Sequence, residues 1–127
     1  ITLPSGRKLC YVKPRIQTNR FGGDGLTYDG VGESRKWMRI ETFGGKLTEN
    51  LTQAIGRDCL EFALDNLKAA GFKVVFHIHD EVVIERQTND PEADLYEVRR
   101  IMSQPAPWAK GLPLNAEGWV GDFFTKD

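Results

Sequence analysis

The stretch that most constrains this chain is Phe72-Lys73-Val74-Val75-Phe76-His77-Ile78-His79-Asp80-Glu81-Val82-Val83-Ile84-Glu85. Val74, Phe76 and Ile78 alternate with Lys73, Val75, His77 and His79 at the two-residue period of a strand, and Val82, Val83 and Ile84 supply a second β-branched run. Only His79, Asp80 and Glu81 separate them, so the economical reading is an antiparallel hairpin. Tight hairpins favour Gly or Asn where φ must be positive, and this link has neither. Violations of that kind are enriched at functional sites. A carboxylate at such a tip suits a divalent cation; a solvated acidic turn is the plain alternative.

A long helix is expected before the hairpin, from about Lys46 to Ala70, released by Gly44-Gly45 and ended by Gly71 as C-cap. Leu47, Leu51, Ile55, Cys59, Phe62, Ala63 and Ala70 share one side at helical spacing. Lys46, Asn50, Gln53 and Arg57 share another, within an arc of about 60° at 100° per residue. All four donate hydrogen bonds, whereas a face exposed only to water more often pairs Glu with Lys. The same side continues as Leu60, Leu64 and Leu67, so the C-terminal half should be buried all round, against the hairpin.

Residues 1–16 read as an extended pair turning at Pro4-Ser5-Gly6, 19–34 as a glycine-rich loop or ribbon, and 36–42 as a further strand. The glycines lack the Lys-Ser/Thr of a nucleotide-binding loop. Beyond the hairpin, Asp90-Pro91-Glu92 starts a second helix whose buried stripe is Leu95, Val98, Ile101 and Met102, and residues 111–119 read as a closing strand. The expected class is α+β, an antiparallel sheet with two main helices on one face. It forms a single domain over 1–127, with a basic β-ribbon region at 1–43 and a helix-hairpin-helix-strand core at 44–127.

Charge is uneven. Arg7, Lys8, Lys13, Arg15, Arg20, Arg35, Lys36 and Arg39 stand against Asp24, Asp29 and Glu33 in residues 1–40, a surplus of five, in a chain whose net charge is -1. A basic third beside an acidic remainder suits phosphate contact by one part and metal binding by another. Cys10 and Cys59 read as reduced thiols of a cytoplasmic protein, and no apolar run suggests a membrane partner. The chain opens on Ile rather than Met, as a piece of a longer polypeptide would.

Taken together, Glu49-Asn50-Leu51-Thr52-Gln53-Ala54-Ile55-Gly56-Arg57-Asp58 followed by the strand into His79-Asp80-Glu81 resembles the C-terminal palm of family A DNA polymerases. Gly44-Gly45-Lys46-Leu47 and Trp37 resemble its phage and prophage branch, and Thr2-Leu3-Pro4-Ser5-Gly6-Arg7-Lys8 is similar to the hairpin that follows the fingers. The resemblance spans essentially the whole chain. It implies attack of a primer 3′-hydroxyl on the α-phosphate of a deoxynucleoside triphosphate, with two Mg²⁺ ions about 4 Å apart, Mn²⁺ being possible. Asp80 matches one of two metal-binding aspartates, Glu81 the accompanying acid, and His79 a group reaching the primer terminus. Asn50 and Gln53 would lie along the minor groove of primer–template DNA, where every base pair presents an acceptor. Arg57 departs from the small residue of repair-type members, leaving its role open between a phosphate contact and a salt bridge. Arg7, Lys8 and Lys46 would add sequence-neutral contacts to DNA. The other catalytic aspartate and the triphosphate-binding fingers have no match, so the missing N-terminal palm half and fingers are implied partners, and the chain alone should be inactive.

Two other classes compete. A metallohydrolase would use His77, His79 and Asp80, but the chain has only two histidines; the default for His77 is a packed strand residue. A non-catalytic nucleic-acid-binding module would need aromatics exposed on a sheet, with Trp37 and Tyr28 as candidates and Trp108 and Trp119 read as structural.

Overall fold

The computed structural model describes residues 1–125, and the chain divides into two compact units, Ile1–Ile55 and the residues from Gly56 onward. The expected α+β class is found, with antiparallel pairing throughout and two α-helices. The strands form two sheets rather than one.

The first unit is built on β1 (Val12–Thr18), β2 (Asp24–Val31) and β3 (Trp37–Thr42), in the order β1-β2-β3. Of the loop or ribbon expected at 19–34, the ribbon is found: β2 takes up most of the region, with short turns at its two ends. Cross-strand partners share a face. One face therefore carries Arg15, Thr27 and Glu41 with Asp29 and Arg39. There Arg39 donates to Asp29 Oδ1 (2.8 Å), to Gln17 Oε1 (3.2 Å) and to the Lys13 carbonyl (2.8 Å). The last bond holds an irregular step in β1, where Lys13 adopts φ 46 and the register shifts. The opposite face carries Leu26 and Tyr28, which with Tyr11, Pro14 and Leu47 line an apolar hollow of about 340 Å³. Ahead of β1, Thr2 bridges Lys8 across the turn at Pro4-Ser5-Gly6, as expected.

Helix α1 (Gly44–Ala69) passes through the division between the units. Gly44 and Gly45 are already helical. Its end is a Schellman motif: Phe72 N–H donates to the Leu67 carbonyl and Gly71 N–H to that of Lys68, both 3.0 Å, with Gly71 at φ 83. The apolar contact that accompanies such an ending here joins Leu67 to Phe72, and it seeds the core of the second unit.

That unit comprises the rest of α1, β4 (Val74–Ile78), β5 (Glu81–Ile84), α2 (Pro91–Met102) and a 3-10 turn, Pro107–Ala109. Leu67, Phe72 and Ile101 are buried, and Val74, Val82, Ile84, Val98 and Met102 pack around them. Both helices therefore cover one side of the hairpin, as the sequence implied. Asp90 caps α2 by accepting from Ala93 N–H (3.0 Å), with Pro91 at the first helical position. The expected closing strand is not formed: residues 111–119 have no strand structure. Side chains of α2 hold this segment instead, Arg99 Nε donating to the Ala116 carbonyl (2.9 Å) and Ala116 N–H donating to Ser103 Oγ (3.1 Å). Trp119, read as structural, is exposed, whereas Trp108 is half-buried. Among the described residues no helix is long and apolar enough to cross a membrane.

Candidate functional site

The hairpin closes more tightly than three linking residues would allow. Ile78 pairs with Glu81, leaving His79 and Asp80 as a two-residue turn and placing Glu81 at the start of β5. His79 takes φ 52, the left-handed region that costs a side-chain-bearing residue about 1–2 kcal/mol. The strain expected from the missing glycine thus falls on His79. Core contacts of Val74, Val82 and Ile84 hold both strands beneath the tip, and at the far end Glu85 N–H donates to the Lys73 carbonyl (3.3 Å).

His79, Asp80 and Glu81 are all exposed. Among the described residues Asp80 has no cationic partner, so its carboxylate oxygens are open to an incoming ligand. They are hard donors of the sort Mg²⁺ and Mn²⁺ require. Among the described residues no group of three or more His, Cys, Asp or Glu gathers as a complete metal site. Asp80 and Glu81 are the carboxylates that the tip itself could offer to a cation.

The histidine cluster of the hydrolase reading does not form. β4 ends at Ile78 and His79 belongs to the turn, so strand alternation no longer aligns His77 with His79. His77 is exposed rather than packed. A register shift between Val74 and Phe76 interrupts the alternation, and Val75, Phe76 and His77 all face solvent to some degree. Phe76 is partly covered by Phe124, edge to face at 5.2 Å.

Along α1 the donors separate into exposed and engaged groups. Gln53 is exposed, and so is Arg57 one turn further along the helix. Lys46 bonds Glu49 Oε2 at 2.9 Å; that hydrogen bond and the carboxylate's charge raise the pKa of its ammonium. Asn50 is half-buried and its Nδ2 donates to Tyr11 Oη (3.2 Å), while Tyr11 meets Tyr28 edge to face at 5.0 Å. One amide hydrogen of Asn50 is therefore used to fix the side chain, and the rest of the amide remains for a ligand. Arg7 donates from a terminal nitrogen to the Ala54 carbonyl (2.9 Å), tying the N-terminal turn to α1, and Lys8 is exposed. Toward the C-terminus the same side of α1 is sealed by Leu60 and Leu67, with Leu64 half-buried, but Glu61, Asp65 and Lys68 are exposed, so this half is not buried all round as expected: its charged residues keep one side in water.

Comparison with known proteins gives one informative match. Over 128 residues, and the whole of this chain, the sequence is 50% identical to part of a DNA polymerase of Bacillus phage SP02. The chain spans 19% of the length of that relative. No family model matches, and no solved structure does.

Tyr11 escaped the sequence reading. It lies 39 positions from Asn50, and only the folded chain brings the two together. The exposed Phe21 at the β1–β2 turn was missed for a different reason: glycines around it mark a turn but carry no sign of what the turn presents.

Proposed function

We propose that this chain is the C-terminal palm portion of a family A DNA polymerase and takes part in template-directed DNA synthesis by the longer polypeptide to which it belongs. The observation that carries the proposal is the 50% identity, running the whole length of the chain, to part of a phage DNA polymerase. The solvent-facing Asp80 supports it, because a buried carboxylate would leave no room for a cation and a triphosphate.

In the reaction, the primer 3′-oxygen forms a bond to the α-phosphorus, the bond to the bridging oxygen breaks, and pyrophosphate leaves with the electron pair. Mg²⁺, or Mn²⁺ in its place, when bound supplies positive charge to the attacking and leaving oxygens. Asp80 is its ligand from this chain. Glu81, at the start of β5, would adjust the charge of the site, and His79 would reach the primer terminus. Exposed Gln53 and the Tyr11-braced Asn50 donate to minor-groove acceptors that every Watson–Crick pair offers, which checks pair shape without reading sequence. Lys46, Arg57 and Lys8 contribute positive charge toward phosphates. Arg7, which donates to the Ala54 carbonyl, adds positive charge beside α1.

Single-turnover primer extension by the full polypeptide tests this. Asp80→Ala should slow the chemical step by orders of magnitude with primer–template affinity nearly unchanged. Collapse of affinity with turnover retained would refute the metal role. The chain alone should extend no primer, and robust extension by it would refute the division of the active site.

A further inference from the structure

The β1–β2 turn holds an aromatic ring out in water. Phe21 is 81% exposed, yet its backbone is fixed. Asn19 Oδ1 accepts from Phe21 N–H (2.9 Å) and Gly23 N–H (3.1 Å), while Asn19 N–H donates to the Gly23 carbonyl (2.7 Å) and Gly22 N–H to the Asn19 carbonyl (3.0 Å). The guanidinium of Arg20 lies 4.8 Å from the centre of the Phe21 ring. From Val12 to Phe21 the chain carries Lys13, Arg15 and Arg20 and no acidic residue. Lys13, Pro14 and Arg15 have a sufficient explanation in the edge position of β1, where such residues block pairing with another chain. That explanation does not extend to a phenyl ring braced away from the fold.

We infer that Asn19–Gly23 is a contact for single-stranded nucleic acid, in which Phe21 stacks on an unpaired base and Arg20 bridges the ring and an adjacent phosphate. The Arg20 guanidinium at the ring selects a polyanion over an apolar protein partner, and an aromatic face with a guanidinium beside it suits stacked bases. A duplex offers no free base face to such a tip except at its end, so the partner is the unpaired strand. The contact lies in the first unit, apart in sequence from the helix donors and from the Asp80 turn. For the identity of its partner it rests on the polymerase reading.

The test uses the full polypeptide and two DNAs: a blunt duplex, and the same duplex with a single-stranded template extension containing 2-aminopurine. Phe21→Ala should weaken binding of the extended DNA about 5- to 150-fold and leave the blunt duplex unchanged. Phe21→Trp should restore affinity, with tryptophan emission quenched by the extended DNA alone. Arg20→Ala should reduce the slope of log affinity against log salt by about one. Wild-type binding of both DNAs by Phe21→Ala, or equal loss for both, overturns the inference. Primer extension by the wild type and by Asp80→Ala, measured alongside, separates the two readings. If Asp80→Ala is inactive and Phe21→Ala has no effect, only the tip contact falls. If the loss at Phe21 is selective and the wild-type polypeptide extends no primer, the tip contact stands and the polymerase reading falls.

Discussion

Two glycines of the α1 region should respond to the same substitution with opposite signs. A Cβ added at Gly56 or at Gly71 meets no atom within 4 Å, so crowding distinguishes nothing between them. Backbone conformation does. Gly56 is inside a 26-residue helix and exposed, where alanine is favoured over glycine by about 0.8–1.0 kcal/mol. Gly71 is at φ 83, where an L side chain costs about 1–2 kcal/mol, partly offset by about 0.4–1 kcal/mol from a less flexible unfolded chain. Gly56→Ala should therefore stabilise by about 1 kcal/mol and Gly71→Ala destabilise by about 0.5–1 kcal/mol. Urea unfolding followed by far-UV circular dichroism should move the two midpoints in opposite directions at constant slope. The thermal midpoints should differ by roughly 5–10 °C. Gly71→Asn, which tolerates the left-handed region, should recover part of the loss. Stabilisation by Gly71→Ala would refute the assigned helix ending. Destabilisation by Gly56→Ala would refute the claim that its surface is open.

Leu67→Ala removes a fully buried side chain from contact with Phe72 and Ile101 and should cost about 3–5 kcal/mol by equilibrium unfolding. Arg100 grips Glu97 through two hydrogen bonds (2.7 and 2.6 Å), chiefly by which the carboxyl pKa is held below its ordinary value. The stabilisation from this pair is present above the unfolded carboxylate pKa and disappears as pH falls through the lowered folded value. Glu97→Gln should accordingly flatten the acid limb of the stability profile, measured by urea midpoints across that range. Cys10 is exposed whereas Cys59 is half-buried, and burial, followed by the charge of Asp58, raises the Cys59 thiol pKa. Iodoacetamide should label Cys10 first and Cys59 more slowly, as mass spectrometry of the digest would show.

Local signals were legible where one short stretch decides the outcome. Gly71 announced the end of α1, Asp90-Pro91 the start of α2, and the β-branched runs around His79-Asp80 the hairpin. The α+β class follows from their order. Residues 111–119 misled because Leu112 and Leu114 flank a proline in a pattern that resembles an edge strand, whereas Arg99 and Ser103 claim backbone groups that a ladder would need. The glycine-rich 19–34 region left loop and ribbon open, and the partners of β2 on both sides supply the order its composition lacks. Within the candidate site, exposure of Asp80 and Gln53 could be anticipated from their setting. The Tyr11 brace on Asn50 and the Ala54 anchor of Arg7 could not, since each joins residues roughly forty positions apart or more.

With only His79 and Asp80 between paired residues, the tip has almost no slack. A carboxylate on a long loop can swing to meet an ion of a different radius; one in a two-residue turn closed by a strand pair has far less backbone freedom to do so. Adjustment between Mg²⁺ and larger cations would then fall to whichever mobile groups come to meet Asp80, leaving this side of the hairpin as the fixed reference against which they align.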